Sequence, residues 1–107
     1  MANEHVLAQL WATIESRKAE AGPERSYTRE LLQAPSKARK KVAEEAAEAV
    51  LAAKGGDKLH IVRETADLWF HSLLLLAWHG LAPEDVLAEL RRREGVSGLA
   101  EKQSRGK

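Results

Sequence analysis

The sequence predicts an all-α fold: a bundle of four to five helices around a central antiparallel hairpin, completed by dimerisation. The first observation is composition, since 18 Ala and 15 Leu residues dominate the 107-residue chain while Val, Ile and Thr together number 11. This balance favours helix over strand. Apolar residues also recur at three- and four-residue spacing, and Gly and Pro separate the periodic segments. Both features are typical of helices joined by short turns.

Glycine, proline and one aspartate set the expected helix boundaries. The first periodic segment stops before Gly22, and Pro35 suits the first turn of the second helix. Gly56 is a C-terminal stop, and Asp57 follows as the N-cap of the third helix. Pro83 opens the fourth helix, with acidic residues in its first turn. The expected helices therefore cover about residues 4–20, 36–54, 57–79 and 83–93.

The domain organisation follows from length and from the polarity of the last segment. A chain of 107 residues suits one domain. We expect an all-α domain over residues 1–94 and a mobile tail over 95–107, because the tail has little to bury.

The third helix predicts a second copy of the protein. From Leu68 to Trp78 only His71 and Ser72 are polar. A helix that is apolar all round must be covered all round, which a bundle this small cannot easily achieve. We expect a symmetric homodimer; the alternative is that the first and fourth helices wrap this helix within one chain.

Composition excludes several classes of protein. The absence of Cys excludes disulfide scaffolds, thiolate zinc sites and Cys nucleophiles. A formal net charge of +1 argues against a dedicated nucleic-acid binder. No signal peptide is visible, and the longest apolar stretch is shorter than a membrane span. We therefore expect a cytoplasmic protein without a membrane or nucleic-acid partner.

Five acidic residues gather on the second and third expected helices. Glu44, Glu45 and Glu48 share one sector of helix two, since helical residues are about 100° apart. Glu45 continues an apolar stripe of that helix, and Glu64 and Asp67 each share an apolar stripe of helix three. Folding the two helices about the glycine turn places Glu48 opposite Glu64 and Glu45 opposite Asp67. Four carboxylates then meet across one helical hairpin.

Such a group of carboxylates predicts a metal site. The charges would repel strongly unless a positive group joined them. Oxygen ligands without Cys favour hard ions: Mg²⁺, Mn²⁺ or Ca²⁺. The alternative is surface salt bridging, because Lys40 and Glu44, like Lys41 and Glu45, are four residues apart. We prefer the salt bridge for Glu44 taken alone, and the metal site for the paired set Glu45, Glu48, Glu64 and Asp67.

The acidic pattern also resembles a known signature. The pattern consists of glutamates at 44, 45 and 48, followed by Glu64 and Asp67 with two residues between them. It is similar to the metal-binding motif of the all-α nucleoside triphosphate pyrophosphohydrolases, the MazG-like superfamily. Ala43 and Phe70 stand where that family often has Gly and Tyr, and neither change removes a proposed ligand. The phosphoribosyl-ATP pyrophosphohydrolases are the members most similar to the flanking segments 26–28, 41–45, 66–71, 90–93 and 93–102.

The resemblance implies a reaction and a site. The expected activity is Mg²⁺-dependent hydrolysis of phosphoribosyl-ATP to phosphoribosyl-AMP and pyrophosphate, the second step of L-histidine biosynthesis, with Mn²⁺ as the alternative ion. Glu44 and Glu45 would be the catalytic carboxylates, Glu44 acting as a further ligand or orienting the attacking water. The metal ligands would be Glu45, Glu48, Glu64 and Asp67.

Further residues have two interpretations each. Lys41 either contacts a phosphate of the substrate or forms a salt bridge. The segment Ser26, Tyr27 and Thr28 either recognises ribose or phosphate or forms a helix-capping turn. His71, four residues after Asp67 and so on the same face, either hydrogen-bonds a metal ligand or is a satisfied core histidine.

Two other functions fit the same sequence. A house-cleaning pyrophosphohydrolase for dUTP, dCTP or modified nucleotides would use the same acidic hairpin. A non-catalytic helical dimerisation module would use the acids as a charged seam only. The response of the protein to Mg²⁺ and a substrate panel distinguish these alternatives.

Overall fold

The computed structural model describes residues 3–19 and 34–106, and all regular structure in these ranges is helical. The all-α prediction is therefore confirmed for this part of the chain. The helix bounds lie within a few residues of those expected from the sequence. We number the helices α1 (Val6–Ala19), α2 (Pro35–Gly55), α3 (Lys58–Trp78), α4 (Pro83–Arg92) and α5 (Gly98–Ser104).

The central hairpin consists of α2 and α3, which are each 21 residues long and pack against each other. Gly56 ends α2 in the left-handed conformation, with φ of 82°, and its N–H donates to the carbonyl of Ala52 at 3.1 Å. Asp57 then caps α3, because its side chain accepts a hydrogen bond from the N–H of Leu59 at 3.1 Å. Glycine tolerates the left-handed conformation without a Cβ penalty. The turn therefore reverses the chain within two residues.

The apolar core lies where α1 crosses the C-terminal half of α3. Ile14 of α1 is completely buried and packs with Leu73, Leu74 and Ala77 of α3. The ammonium group of Lys18 donates to the carbonyl of Ala77 at 3.1 Å. The same carbonyl also accepts a hydrogen bond from the N–H of Gly80 at 3.2 Å, so Lys18 adds a second bond at the C-terminal end of α3. The core thus holds α1 to the end of the hairpin that is distant from the glycine turn.

The segment after α4 contains a helix where the sequence predicted a mobile tail. Ser97 caps α5 by accepting a hydrogen bond from the N–H of Ala100 at 3.1 Å. Glu101 is buried, and the guanidinium of Arg92 in α4 donates to both of its carboxylate oxygens. The mobility of 95–107 stays a prediction, but residues 98–104 have a regular helical conformation.

One side of α3 remains uncovered within the described residues. Val62 and Trp69 are 64% and 67% exposed. An apolar groove of about 390 Å³ continues this surface toward α1, with Leu7 and Phe70 among the residues that line it. The dimer predicted to cover α3 stays a prediction. None of the described helices has the length and apolarity needed to span a bilayer.

Candidate metal site

The predicted site residues lie on both helices of the central hairpin. Glu44, Glu45 and Glu48 belong to α2, whereas Glu64 and Asp67 belong to α3. Glu45 and Glu64 are half-buried, and the other three acids are exposed. The hairpin therefore half-buries one acid of each helix and leaves the remaining three acids exposed.

The electrostatics of Glu64 shows which acids are brought together. Partial burial raises the pKa of Glu64 above its ordinary value, and a side-chain hydrogen bond with Asp67 raises it further. The negative charges of Asp67 and of Glu45 act in the same direction. Glu45 acts on Glu64 from the other helix through its charge, whereas Asp67 acts through a hydrogen bond and its charge. The assignment of these acids as metal ligands stays a prediction.

A basic side chain, that of His60, also acts on Glu64 through its charge. Its charge lowers the pKa of Glu64 and so opposes the effect of the acids. His60 was not predicted to belong to the site, although its spacing from Glu64 is visible in the sequence. His60 precedes Glu64 by four residues, which places both on one face of α3.

The acids do not enclose a metal position as they stand. Within residues 3–19 and 34–106, no three His, Asp or Glu side chains are arranged to hold a metal ion. Their chemistry nevertheless fits a hard cation, because every candidate ligand is a carboxylate oxygen and the chain has no Cys. The repulsion at Glu64 supplies the second reason, since carboxylates raise each other's pKa when no cation offsets their charge.

Lys41 takes part in a salt bridge at the edge of the site. Its ammonium nitrogen lies 3.5 Å from a carboxylate oxygen of Glu44, and both side chains are partly exposed. This pair connects residues three apart on α2. Both residues thus take part in a salt bridge, but with each other, whereas the sequence suggested Lys40 for Glu44 and Glu45 for Lys41. An exposed pair of this kind is weak, so either partner remains able to contact another ion.

His71 is buried beneath Asp67. It is 5% exposed, and its Nδ1 lies 2.8 Å from the backbone carbonyl oxygen of Asp67. A carbonyl only accepts hydrogen bonds, so Nδ1 is the protonated nitrogen in this contact. His71 therefore supports the main chain at Asp67 while being part of the interior. The burial agrees with the core-histidine interpretation, whereas a hydrogen bond from His71 to the carboxylate of a metal ligand stays a prediction.

The three remaining predicted residues, Ser26, Tyr27 and Thr28, lie outside the described residues. Their proposed contacts with ribose or phosphate stay predictions.

An all-α chain whose central hairpin presents carboxylates from both helices has the features of the all-α nucleoside triphosphate pyrophosphohydrolases. A family model described as phosphoribosyl-ATP pyrophosphohydrolase matches residues 7–94. The chain is 57% identical over 101 residues to the phosphoribosyl-ATP pyrophosphatase of Chromobacterium violaceum, a match that covers 94% of this chain and 93% of that protein. It is 56% identical over 106 residues to the phosphoribosyl-ATP pyrophosphatase of Nitrosospira multiformis, covering 98% and 87%. The chain therefore belongs to the phosphoribosyl-ATP pyrophosphohydrolase family and is a hydrolase.

Proposed function

We propose that this protein hydrolyses phosphoribosyl-ATP to phosphoribosyl-AMP and pyrophosphate with Mg²⁺, as the second step of L-histidine biosynthesis in the cytoplasm. The supporting observation is that the negative charges of Glu45 and Asp67 raise the pKa of Glu64. Glu45 does so from the other helix of the hairpin, in a chain of this family. Relatives over 50% identical along nearly the whole chain bear the name of this activity. The family membership argues against the alternative of a non-catalytic module.

The proposed Mg²⁺ ligands are Glu45, Glu48, Glu64 and Asp67. A bound divalent cation supplies positive charge that offsets the charge growing on the leaving pyrophosphate. Glu48 is exposed one turn after Glu45, where rotation of its side chain brings it to the same side of the hairpin. Mn²⁺ accepts the same oxygen ligands.

The other residues of the site would bind substrate or move a proton. Glu44 and Glu45 are the candidate bases for the attacking water. The ammonium nitrogen of Lys41 lies 3.5 Å from a carboxylate oxygen of Glu44. Lys41 would turn from Glu44 toward a phosphate when substrate binds. His71 would hold the turn of α3 at Asp67 through its bond to the main chain.

A homodimer would complete the fold. Trp69 is 67% exposed on a helix whose apolar surface continues into grooves beside α1 and α4. Uncovered apolar surface of this kind marks an interaction site, and a second copy of the chain is the partner we propose. Sedimentation at micromolar concentration should give a dimer. A monomer of 11.8 kDa would contradict the proposal.

The direct test measures pyrophosphate released from phosphoribosyl-ATP, with and without Mg²⁺. Glu45→Gln and Asp67→Asn should each lower kcat by at least about 100-fold, the lower range for loss of a catalytic charge. Glu84→Gln, an exposed acid in the first turn of α4, is the matched control and should retain full activity. Unchanged turnover in both site variants would refute the assignment of the site.

A panel of dUTP, dCTP and modified nucleotides decides the substrate. Phosphoribosyl-ATP should have the highest kcat/KM. Faster turnover of a free deoxynucleotide would replace the proposal with the house-cleaning alternative, while leaving the acidic site in place.

A further inference from the structure

The burial pattern of α5 is the reverse of that of an ordinary surface helix, because a charged residue is buried and an apolar residue is exposed. Its buried residue is Glu101, with 3% exposure, whereas Leu99 is 69% exposed. Carboxylates are rarely buried unless they are paired, and Leu is among the residues most often buried. The burial of α5 therefore depends on a charge and not on apolar packing.

The partners of Glu101 come from α4. The guanidinium of Arg92 donates to both carboxylate oxygens of Glu101. It also donates to the two carboxylate oxygens of Glu89, from Nε at 3.0 Å and from a terminal nitrogen at 2.8 Å. Arg93 donates from Nε to Glu89 at 2.8 Å. The two arginines and two glutamates thus form one network that ends at α5.

The two partners of the ion pair between α4 and α5 differ in their exposure to solvent. The side chain of Glu101 is 4% exposed, whereas that of Arg92 is 51% exposed. Removing the arginine leaves a buried carboxylate without its main partner, which is the costly way to break a buried pair. Salt reaches the exposed side of Arg92 and weakens the pair, although less than it weakens a fully exposed pair. The attachment of α5 is therefore sensitive to one residue on each helix and to ionic strength.

A helix as short as α5 does not persist alone. It has seven residues, fewer than the ~12–15 that even favourable isolated helices need in water. Its own capping bond from Ser97 stabilises one end, but this bond does not join it to α4. Loss of the Arg92–Glu101 pair should thus release and unfold α5 locally, in the manner of a separate cooperative unit.

We propose that Arg92 and Glu101 form a latch that determines whether α5 is docked on α4 or detached, independently of the folding of the α2–α3 hairpin. The latch has two states: a docked helix held by the ion pair, and a detached, unfolded segment that leaves Arg92 paired with Glu89 alone. High ionic strength favours the detached state. The proposal does not depend on the enzymatic activity.

Hydrogen exchange measured by mass spectrometry on the full chain tests the latch. Glu101→Gln removes the charge at nearly constant shape, and Arg92→Gln removes the other partner. Each variant should accelerate exchange of the α5 amides at least about tenfold, while the amides of α2 and α3 stay protected as in a locally opening unit. The double variant should add little to either single variant, because both break one interaction. Glu94→Gln, an exposed acid between α4 and α5, removes the same charge and should leave exchange unchanged.

Salt provides a second readout on the unmodified chain. Raising NaCl from 50 mM to 1 M should accelerate exchange in α5 but not in α2 or α3, since the Debye length falls to about 3 Å at 1 M. Three results would overturn the latch. These are unchanged α5 protection in Glu101→Gln, α5 amides without protection in the unmodified chain, and equal acceleration in all helices. The last result would make Glu101 a determinant of global stability.

Discussion

The two glycines at the hairpin turn should respond to the same substitution in opposite directions. Gly56 has φ of +82°, whereas Gly55 lies in the last turn of α2, and an added Cβ meets no atom within 4 Å at either position. Sterics with neighbours therefore do not distinguish them, and the backbone conformation does. Gly56→Ala introduces left-handed strain of about 1–2 kcal/mol. Reduced freedom of the unfolded chain offsets about 0.4–1 kcal/mol of that cost.

The net effect is a loss of about 1 kcal/mol of unfolding free energy for Gly56→Ala. Gly55→Ala has only the favourable contribution and should gain about 0.4–1 kcal/mol. The two variants then differ by the left-handed strain of about 1–2 kcal/mol, which corresponds to about 4–16 °C in Tm for a domain of this size. Urea titration with unchanged m-values and thermal melts followed by circular dichroism measure the difference.

The sign of each change in unfolding free energy shows whether backbone conformation distinguishes the two glycines. Stabilisation by Gly56→Ala would show that the turn does not need the left-handed conformation. Destabilisation by Gly55→Ala of similar size would show that both positions are constrained for another reason. The outcome also concerns the site, because this turn joins the two helices that carry Glu45 and Glu64.

Four further predictions concern the metal site, the arginine network and the core. Mg²⁺ at 100 times its Kd should stabilise the unmodified chain by about 2.7 kcal/mol, and Asp67→Asn should abolish that gain in a melt. In metal-free buffer Glu64→Gln should raise Tm at pH 7. The fold raises the pKa of Glu64, so the contribution of this residue to stability is present below the pKa of the unfolded chain. That contribution is lost as the pH rises through the pKa of the folded chain. Glu89→Gln should lower Tm at pH 7 and progressively less as the pH falls from 4.5 toward 2, because two arginines lower the pKa of Glu89 from 4.5 to about 2. Ile14→Ala should remove about 2–5 kcal/mol from the free energy of unfolding in urea, because the side chain is completely buried.

Each of these predictions has a result that contradicts it. An equal Mg²⁺ response in Asp67→Asn would exclude Asp67 as a ligand. A lower Tm for metal-free Glu64→Gln would mean that the ionised carboxylate has a stabilising partner. A pH-independent effect of Glu89→Gln would remove its ion pairs as the cause, and a small effect of Ile14→Ala would mean that α1 is weakly attached.

The long helices and their turn were predictable from the sequence because local signals agree with the final structure. Pro35, Gly56 and Asp57 have the positions that helix starts, stops and caps require. The pairing of acids across the hairpin was partly predictable for the same reason, since a two-residue turn leaves little choice of register. In the structure the charge of Glu45 acts on Glu64, whereas the sequence paired Glu45 with Asp67. The four-carboxylate metal site stays a prediction.

The α5 helix was not predictable because its stabilisation is not local. Hydropathy suggests that Leu99 should be the buried residue, but Glu101 is buried instead. The reason is an arginine nine residues earlier on another helix. Pattern reasoning treats charged residues at a helix end as solvated, and it does not detect a pair formed around a corner between two helices.

Stability alone does not explain the acidic side of the hairpin. Burial, the bond with Asp67 and the charge of Glu45 all raise the pKa of Glu64, so the fold disfavours its ionised form. At neutral pH this repulsion opposes folding, in contrast to Glu89 and Glu101, whose pKa values arginines lower. Arginines thus lower the pKa values of the acids near α5, whereas at Glu64 the charge of His60 opposes the effect of the neighbouring acids. A cation that binds the hairpin acids would turn this repulsion into affinity, because ligands that already repel one another gain most from a shared positive ion.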